Sequence, residues 1–152
     1  MLCFHRRGSL VTQVLLGIVV AVVLIGIMVF VINPARQFRE ARDAQRMADI
    51  ETIIDAIVGY ARDNDNRLPF PLTVEPTPIC RSGVNLNCGQ RINLNFLTGA
   101  YLTAIPADPE DATAISTAYT LTWDGVRITV AAPFAEQVGT IAVERIVKGK
   151  NP

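Results

Sequence analysis

One stretch near the amino terminus limits what this chain can fold into. No charged residue occurs from Gly8 to Ala35. Within it, the 19 residues from Val14 to Ile32 are apolar, interrupted only by two glycines. A helix of that length spans about 28 Å, close to the hydrocarbon thickness of a bilayer. The segment is therefore predicted to be a transmembrane helix.

The rest of the chain argues for one small domain without catalytic or nucleic-acid chemistry. The whole chain has 152 residues, with 14 basic and 14 acidic side chains, so no net field attracts nucleic acid. The only histidine is His5. There is no Gly-rich phosphate loop, nucleophile elbow or His/Cys metal spacing. We expect no enzyme activity, no cofactor, no metal and no small-molecule substrate.

Two of the three cysteines lie close together. Cys80 and Cys88 are eight positions apart in a loop-like stretch, whereas Cys3 precedes the apolar run. In a small exported domain such a pair forms a disulfide, whereas in a cytosolic loop it stays as two free thiols. The disulfide is the prediction. A zinc site would need about four ligands, and the sequence does not offer them nearby.

The apolar run does not fit a cleaved secretory signal peptide, because it is too long and no A-x-A pattern follows it. Its orientation is ambiguous on charge alone. Arg6 and Arg7 precede the run. Four arginines follow it, at positions 36, 39, 42 and 46, and this count would place the carboxyl terminus in the cytoplasm. The cysteine pair and the leader described next favour an extracytoplasmic domain, which is the prediction.

The residues 6–16, RRGSLVTQVLL, resemble the leader and helix start of type IV prepilins and type II secretion pseudopilins. The resemblance implies that a prepilin peptidase cuts between Gly8 and Ser9 on the cytoplasmic side and methylates the new terminus. It also implies an assembly contact at the fifth residue after the cut. The family usually has glutamate there, but this chain has Gln13. Glutamine can accept a hydrogen bond but cannot neutralise an ammonium group.

A second helical pattern follows the apolar run. Apolar residues recur at spacings of three and four from Ala35 to Arg62, and charged residues fill the other faces. The predicted stripe comprises Phe38, Ala41, Ala44, Met47, Ala48, Ile50, Ile53, Ile54, Ile57, Val58 and Ala61. A single helix from Ser9 to Arg62 would be about 80 Å long, and Pro34 could kink it. The segment 41–50 also resembles a stretch that follows the membrane half in pseudopilins.

The carboxyl-terminal part predicts a small antiparallel sheet. Asp124-Gly125 between alternating apolar runs is a strong hairpin signal, with the second strand ending at Pro133. Residues 140–146 can supply a third strand, while 68–89 is predicted to be irregular. The stretch 101–109 resembles the pseudopilin segment that precedes the sheet. An acidic group there, Asp108, Glu110 and Asp111, is predicted to be a solvated turn, although some major pseudopilins bind calcium near this position.

These observations predict an α+β fold, with a long amino-terminal helix packed on a small antiparallel sheet. The predicted parts are a leader at 1–8, a membrane or filament-core helix at 9–34, an amphipathic helix at 35–63 and a globular domain at 64–152. The resemblance implies a structural subunit of a pilus or pseudopilus, whose partners are the membrane, the prepilin peptidase and copies of itself or other pilins. The alternative is an unprocessed, single-pass anchored domain that binds an extracytoplasmic partner.

Overall fold

The computed structural model describes residues 10–71, 73–81, 88–137 and 139–147. They fall into two compact units, with the boundary between Phe38 and Arg39. Helix α1 (Leu10–Ile32) belongs to the first unit. Helix α2 (Pro34–Asp63) begins in the first unit and continues through the second, which also holds every strand among the described residues.

The chain leaves helical geometry at Asn33 alone, where φ is 37°. Asparagine tolerates this left-handed region better than most residues. Pro34 is then the first residue of α2, where its missing N–H costs no hydrogen bond. The backbone N–H of Arg36 donates to the Asn33 carbonyl at 3.0 Å. Pro34 therefore starts a new helix instead of interrupting the interior of a longer one.

The second unit contains a four-stranded antiparallel sheet within the described ranges, in the order β1-β2-β3-β4. The strands are β1 (Thr77–Cys80), β2 (Ser116–Trp123), β3 (Arg127–Ala135) and β4 (Gly139–Ile146). The predicted hairpin at Asp124-Gly125 joins β2 and β3, with Trp123 opposite Ile128. The α+β architecture and the strand over 140–146 are confirmed.

Three details of the predicted sheet are wrong. Strand β1 lies inside the region predicted to be irregular and pairs with β2, so the sheet has a fourth strand. Strand β3 passes through Pro133 and ends at Ala135, because the register shifts there and a bulge tolerates a residue without an N–H. The alternation of Val126, Ile128 and Val130 in the sequence predicts that all three share the inward face of this strand, but Val126 lies in the turn and is exposed.

One hydrophobic core joins α2 to the sheet. The helix contributes Ile50, Ile53, Ile54 and Ile57, all fully buried. The inward-facing residues of β2 and β3 alternate as a half-buried sheet requires: Tyr119, Leu121, Ile128, Val130 and Ala132. The segment before β2, with the short 3-10 helix Asn95–Leu97, closes the core near the end of α2, where the rings of Tyr60 and Phe96 meet edge to face at 4.7 Å.

Candidate functional site

Helix α1 is an apolar surface with no partner in the described part of the chain. It is long and apolar enough to cross a membrane, and none of its most apolar window is buried. The buried residues that make up the hydrophobic core all lie at or beyond Ile50. The second unit therefore completes its core without α1, whose side chains need another apolar environment.

Gln13 lies one turn into this helix, among apolar residues, and its side chain is exposed. No hydrogen bond to its amide exists among residues 10–71, 73–81, 88–137 and 139–147, so its donors and acceptor are open to another molecule. The proposed cleavage residues Gly8 and Ser9 lie outside the described residues. The predicted cut and the modification of the new terminus therefore stay predictions.

Cys80 and Cys88 form a disulfide, with their Cα atoms 5.7 Å apart. Cys80 is the last residue of β1 and is buried. The bond ties the end of β1 to a segment that pairs with this strand in a parallel bridge, where the N–H of Cys80 donates to the carbonyl of Ile92. The predicted disulfide is therefore confirmed, and the alternative of two free thiols is wrong.

The structure contains a buried charge cluster that the sequence patterns above did not predict. It is named here the Arg46 cluster and consists of Arg46 with the carboxylates of Asp43, Asp108, Asp111 and Glu136. The Arg46 side chain is fully buried. Its Nε donates to Asp108 Oδ2 at 2.7 Å and its Nη2 to Asp108 Oδ1 at 3.1 Å. Its Nη1 donates to Asp43 at 2.9 Å and to Glu136 at 3.1 Å, while Asp111 accepts from Nη2 at 3.3 Å.

The same carboxylates also hold backbone groups. Asp43 accepts the N–H groups of Glu136 and Gln137, at the turn between β3 and β4. Asp108 accepts the N–H groups of Glu110 and Asp111, each at 2.9 Å, in the loop that leads to β2. The Arg46 cluster thus fastens two distant segments to the first turns of α2 within the second unit.

Electrostatic interactions favour the ionised forms of Arg46, Asp43, Asp108 and Glu136. Burial would raise the pKa of Asp43 and of Asp108, but backbone N–H groups and the Arg46 guanidinium outweigh it and hold both pKa values below the usual range. The hydrogen bond from Arg42 lowers the pKa of Glu136. The bond to Asp108 raises the pKa of Arg46 despite its burial. A buried guanidinium is thus compensated by charge-assisted hydrogen bonds.

The acidic residues considered above as a calcium site, Asp108, Glu110 and Asp111, form ion pairs with arginines. Asp108 and Asp111 contact Arg46, and Glu110 Oε2 lies 3.1 Å from Nε of Arg42. The prediction of a solvated turn is therefore wrong for Asp108, which is buried. Among the residues that the structure describes, no three His, Cys, Asp or Glu side chains are placed to hold a metal ion.

In the first half of α2, the residues of the predicted apolar stripe face solvent instead of the core. Ala41, Ala44, Met47 and Ala48 were assigned to the inward face, but they are exposed. The inward positions are Asp43 and Arg46, in phase with the buried isoleucines that follow. This half of α2 therefore buries charge and exposes a strip of small and apolar side chains, named here the Ala41–Ala48 strip.

A signal for the Arg46 cluster does exist in the sequence. Extending the spacing of Ile57, Ile53 and Ile50 backwards by three and four residues reaches Arg46 and then Asp43. A pattern based on hydrophobicity alone does not assign those two positions to the core, because burying a charged side chain is costly unless it is paired. Apart from Asp43, the carboxylates that pair with Arg46 lie more than 60 residues away, so their pairing is visible only after folding.

Comparisons of this chain with protein-family models, with curated proteins and with solved structures found no match.

Proposed function

We propose that this chain is a structural subunit of a type IV pilus or a type II secretion pseudopilus. Helix α1 anchors the newly made subunit in the membrane and then enters a bundle of helices from neighbouring subunits. The second unit stays on the extracytoplasmic side. Contacts between unlike faces of successive subunits do not close on themselves, so they build a filament.

The observation that carries this proposal is that the apolar surface of α1 is exposed, while the core of the second unit is complete without it. Such a helix must be covered by lipid or by other helices. A subunit that moves from a bilayer into a helical bundle uses both environments in turn. The Ala41–Ala48 strip supports the same role, since small side chains let helices approach closely.

Two further observations support the location of the second unit. The Cys80–Cys88 disulfide is typical of oxidising, extracytoplasmic compartments. The packing of α2 on an antiparallel sheet also agrees with the architecture that the leader resemblance implies. Gln13, in place of the usual glutamate, favours a minor subunit over one that polymerises alone.

The test is mass spectrometry of the protein purified from its native membranes. We expect an amino terminus at Ser9 carrying one added methyl group. A Gly8→Val variant should keep its leader, whereas the control Gly26→Val, altered within the helix, should be cleaved normally. A wild-type chain that begins at Met1 would contradict the proposal and leave the alternative, an anchored binding domain.

A further inference from the structure

A cleft opens beside β1, between the loop that follows α2 and the segment that follows the disulfide. It consists of two cavities, of about 490 Å³ and 380 Å³, and Gln90 and Arg91 line both of them. Pro69, Phe70 and Thr77 form further parts of the larger cavity. Pockets that hold ligands commonly have volumes of about 300–1,000 Å³. We name this feature the Arg91 cleft.

Arg91 carries a guanidinium without a counter-charge. The residue is half-buried, and no carboxylate among the described residues forms an ion pair with it. All 14 acidic side chains of the chain belong to those residues, so none of them neutralises Arg91. Its Nη1 donates to the carbonyl of Cys88 at 3.5 Å, and its Nε is buried without an acceptor. Because a partly buried, unpaired cation is costly, an anion bound in the cleft would stabilise it.

We propose that the Arg91 cleft binds the carboxyl terminus of a peptide. The planar guanidinium of Arg91 pairs with the terminal carboxylate, which matches its geometry. The Gln90 amide is exposed and has no hydrogen bond within the described ranges, so it can donate to and accept from the peptide backbone. This function goes beyond filament assembly and does not rest on it, because the cleft lies wholly in the second unit.

The charge of the cleft favours a carboxylate over a phosphate group. Arg91 is the one charged side chain among the described residues that line the two cavities. A single guanidinium balances the single negative charge of a carboxylate, whereas a phosphate monoester carries about −1.5 to −2 at pH 7. Guanidinium has five N–H donors, and one bond from Arg91 to the described chain leaves enough of them for both carboxylate oxygens.

The walls of the cleft favour a peptide over a sugar acid. Pro69, Pro71 and Pro78 are exposed, and their backbones have no N–H to offer the hydroxyl groups of a sugar. The aromatic ring described in the cleft, that of Phe70, is 4% exposed and so presents no open face to a sugar ring. The apolar side chains of a peptide can pack on the proline rings, while its backbone amides suit Gln90.

The experiment titrates the full chain in detergent micelles with N-acetylated tripeptides, followed by isothermal titration calorimetry. The tripeptides end in alanine, valine, leucine or phenylalanine, and each is compared with its carboxamide form. We expect at least one acid to bind, and its carboxamide to bind about tenfold more weakly. Arg91→Gln should remove this preference. Arg81→Gln is the matched control and should keep it, because it removes the same charge from an exposed arginine outside the cleft.

Three results would overturn the inference: no acid binds, acid and carboxamide bind equally, or Arg81→Gln removes the preference as fully as Arg91→Gln. Glucuronic acid bound more tightly than every tripeptide would overturn the choice of a peptide. The comparison of acid with carboxamide needs only the wild-type chain, so it tests the inference even if Arg91→Gln does not fold. An amino terminus that remains at Met1 would contradict the proposed function and leave this binding measurement valid, so the two failures are distinguishable.

Discussion

Arg46 and Asp108, 62 positions apart, form a two-point ion pair in the interior, at 2.7 Å and 3.1 Å. Arg46 is fully buried, and Asp108 is nearly so. The pair joins α2 to the loop that leads into β2. A planar guanidinium matches a carboxylate in this geometry, so lysine could not replace it without loss.

Replacing Arg46 by methionine should cost about 3–5 kcal/mol of unfolding free energy, because Asp43 and Asp108 would be left without their buried counter-charge. The measurement is urea unfolding of the full chain in detergent micelles, followed by the fluorescence of Trp123, the only tryptophan. Arg39→Met is the control, since Arg39 is 57% exposed and lies 3.7 Å from Glu136. It should cost less than about 1 kcal/mol. Equal costs for the two variants would contradict the buried pairing.

Stability should fall in acid. Asp43, Asp108 and Glu136 have lowered pKa values in the folded state, so the unfolded chain binds more protons as the pH drops through about 4. Their contribution is complete above about pH 5 and is lost progressively below it. The measurement is the unfolding free energy between pH 7 and pH 3. Arg46→Met should flatten this dependence; an unchanged slope in that variant would show that other groups cause it.

The parts of the fold that sequence predicted are those set by local patterns. The hairpin at Asp124-Gly125 follows from turn chemistry, and the transmembrane length of α1 follows from an unbroken apolar run. Strand β1 was not predicted because Pro76 and Pro78 are typical of loops. Its short pairing with β2 is set by tertiary contacts, with Thr77 opposite Leu121.

The candidate site was predictable to a similar degree. The assembly role of Gln13 is implied by the leader resemblance alone and stays a prediction, whereas the Cys80–Cys88 disulfide was predicted from the spacing of the pair and is confirmed. Arg46 was placed on a solvent face, since binary patterning assigns arginine to water. Its burial depends on carboxylates from two distant segments, and no local pattern encodes their convergence.

Removing the disulfide should destabilise the second unit moderately. Cys80 and Cys88 close a loop with a sequence separation of 8, for which the chain-entropy model gives about 2–3 kcal/mol. The double variant Cys80→Ser, Cys88→Ser should lose that amount in urea unfolding monitored by Trp123 fluorescence. Cys3→Ser is the control and should leave the unfolding midpoint unchanged. A double variant as stable as wild type would mean that the bond adds no stability.

Tyr119→Phe should destabilise the chain by about 1–2 kcal/mol at pH 7. The Tyr119 hydroxyl donates to Asp49 Oδ2 at 2.7 Å, and the hydrogen bond is partly buried. Burial raises the pKa of Asp49, and this hydrogen bond opposes the rise. Without the hydroxyl, the pKa of Asp49 should rise further. Because a folded-state pKa above the unfolded value means that the folded state binds more protons, the penalty should shrink as the pH falls from 7 towards 4.

Tyr101→Phe provides the matched control for that variant. Its hydroxyl donates to Asp63 Oδ2 at 2.8 Å, but this pair is exposed, so water can replace the lost partner. We therefore expect a cost below about 0.5 kcal/mol. Both variants are compared by urea unfolding at pH 7 and pH 4.5. A Tyr119→Phe penalty that is constant with pH would show that Asp49 does not depend on the hydroxyl to stay ionised.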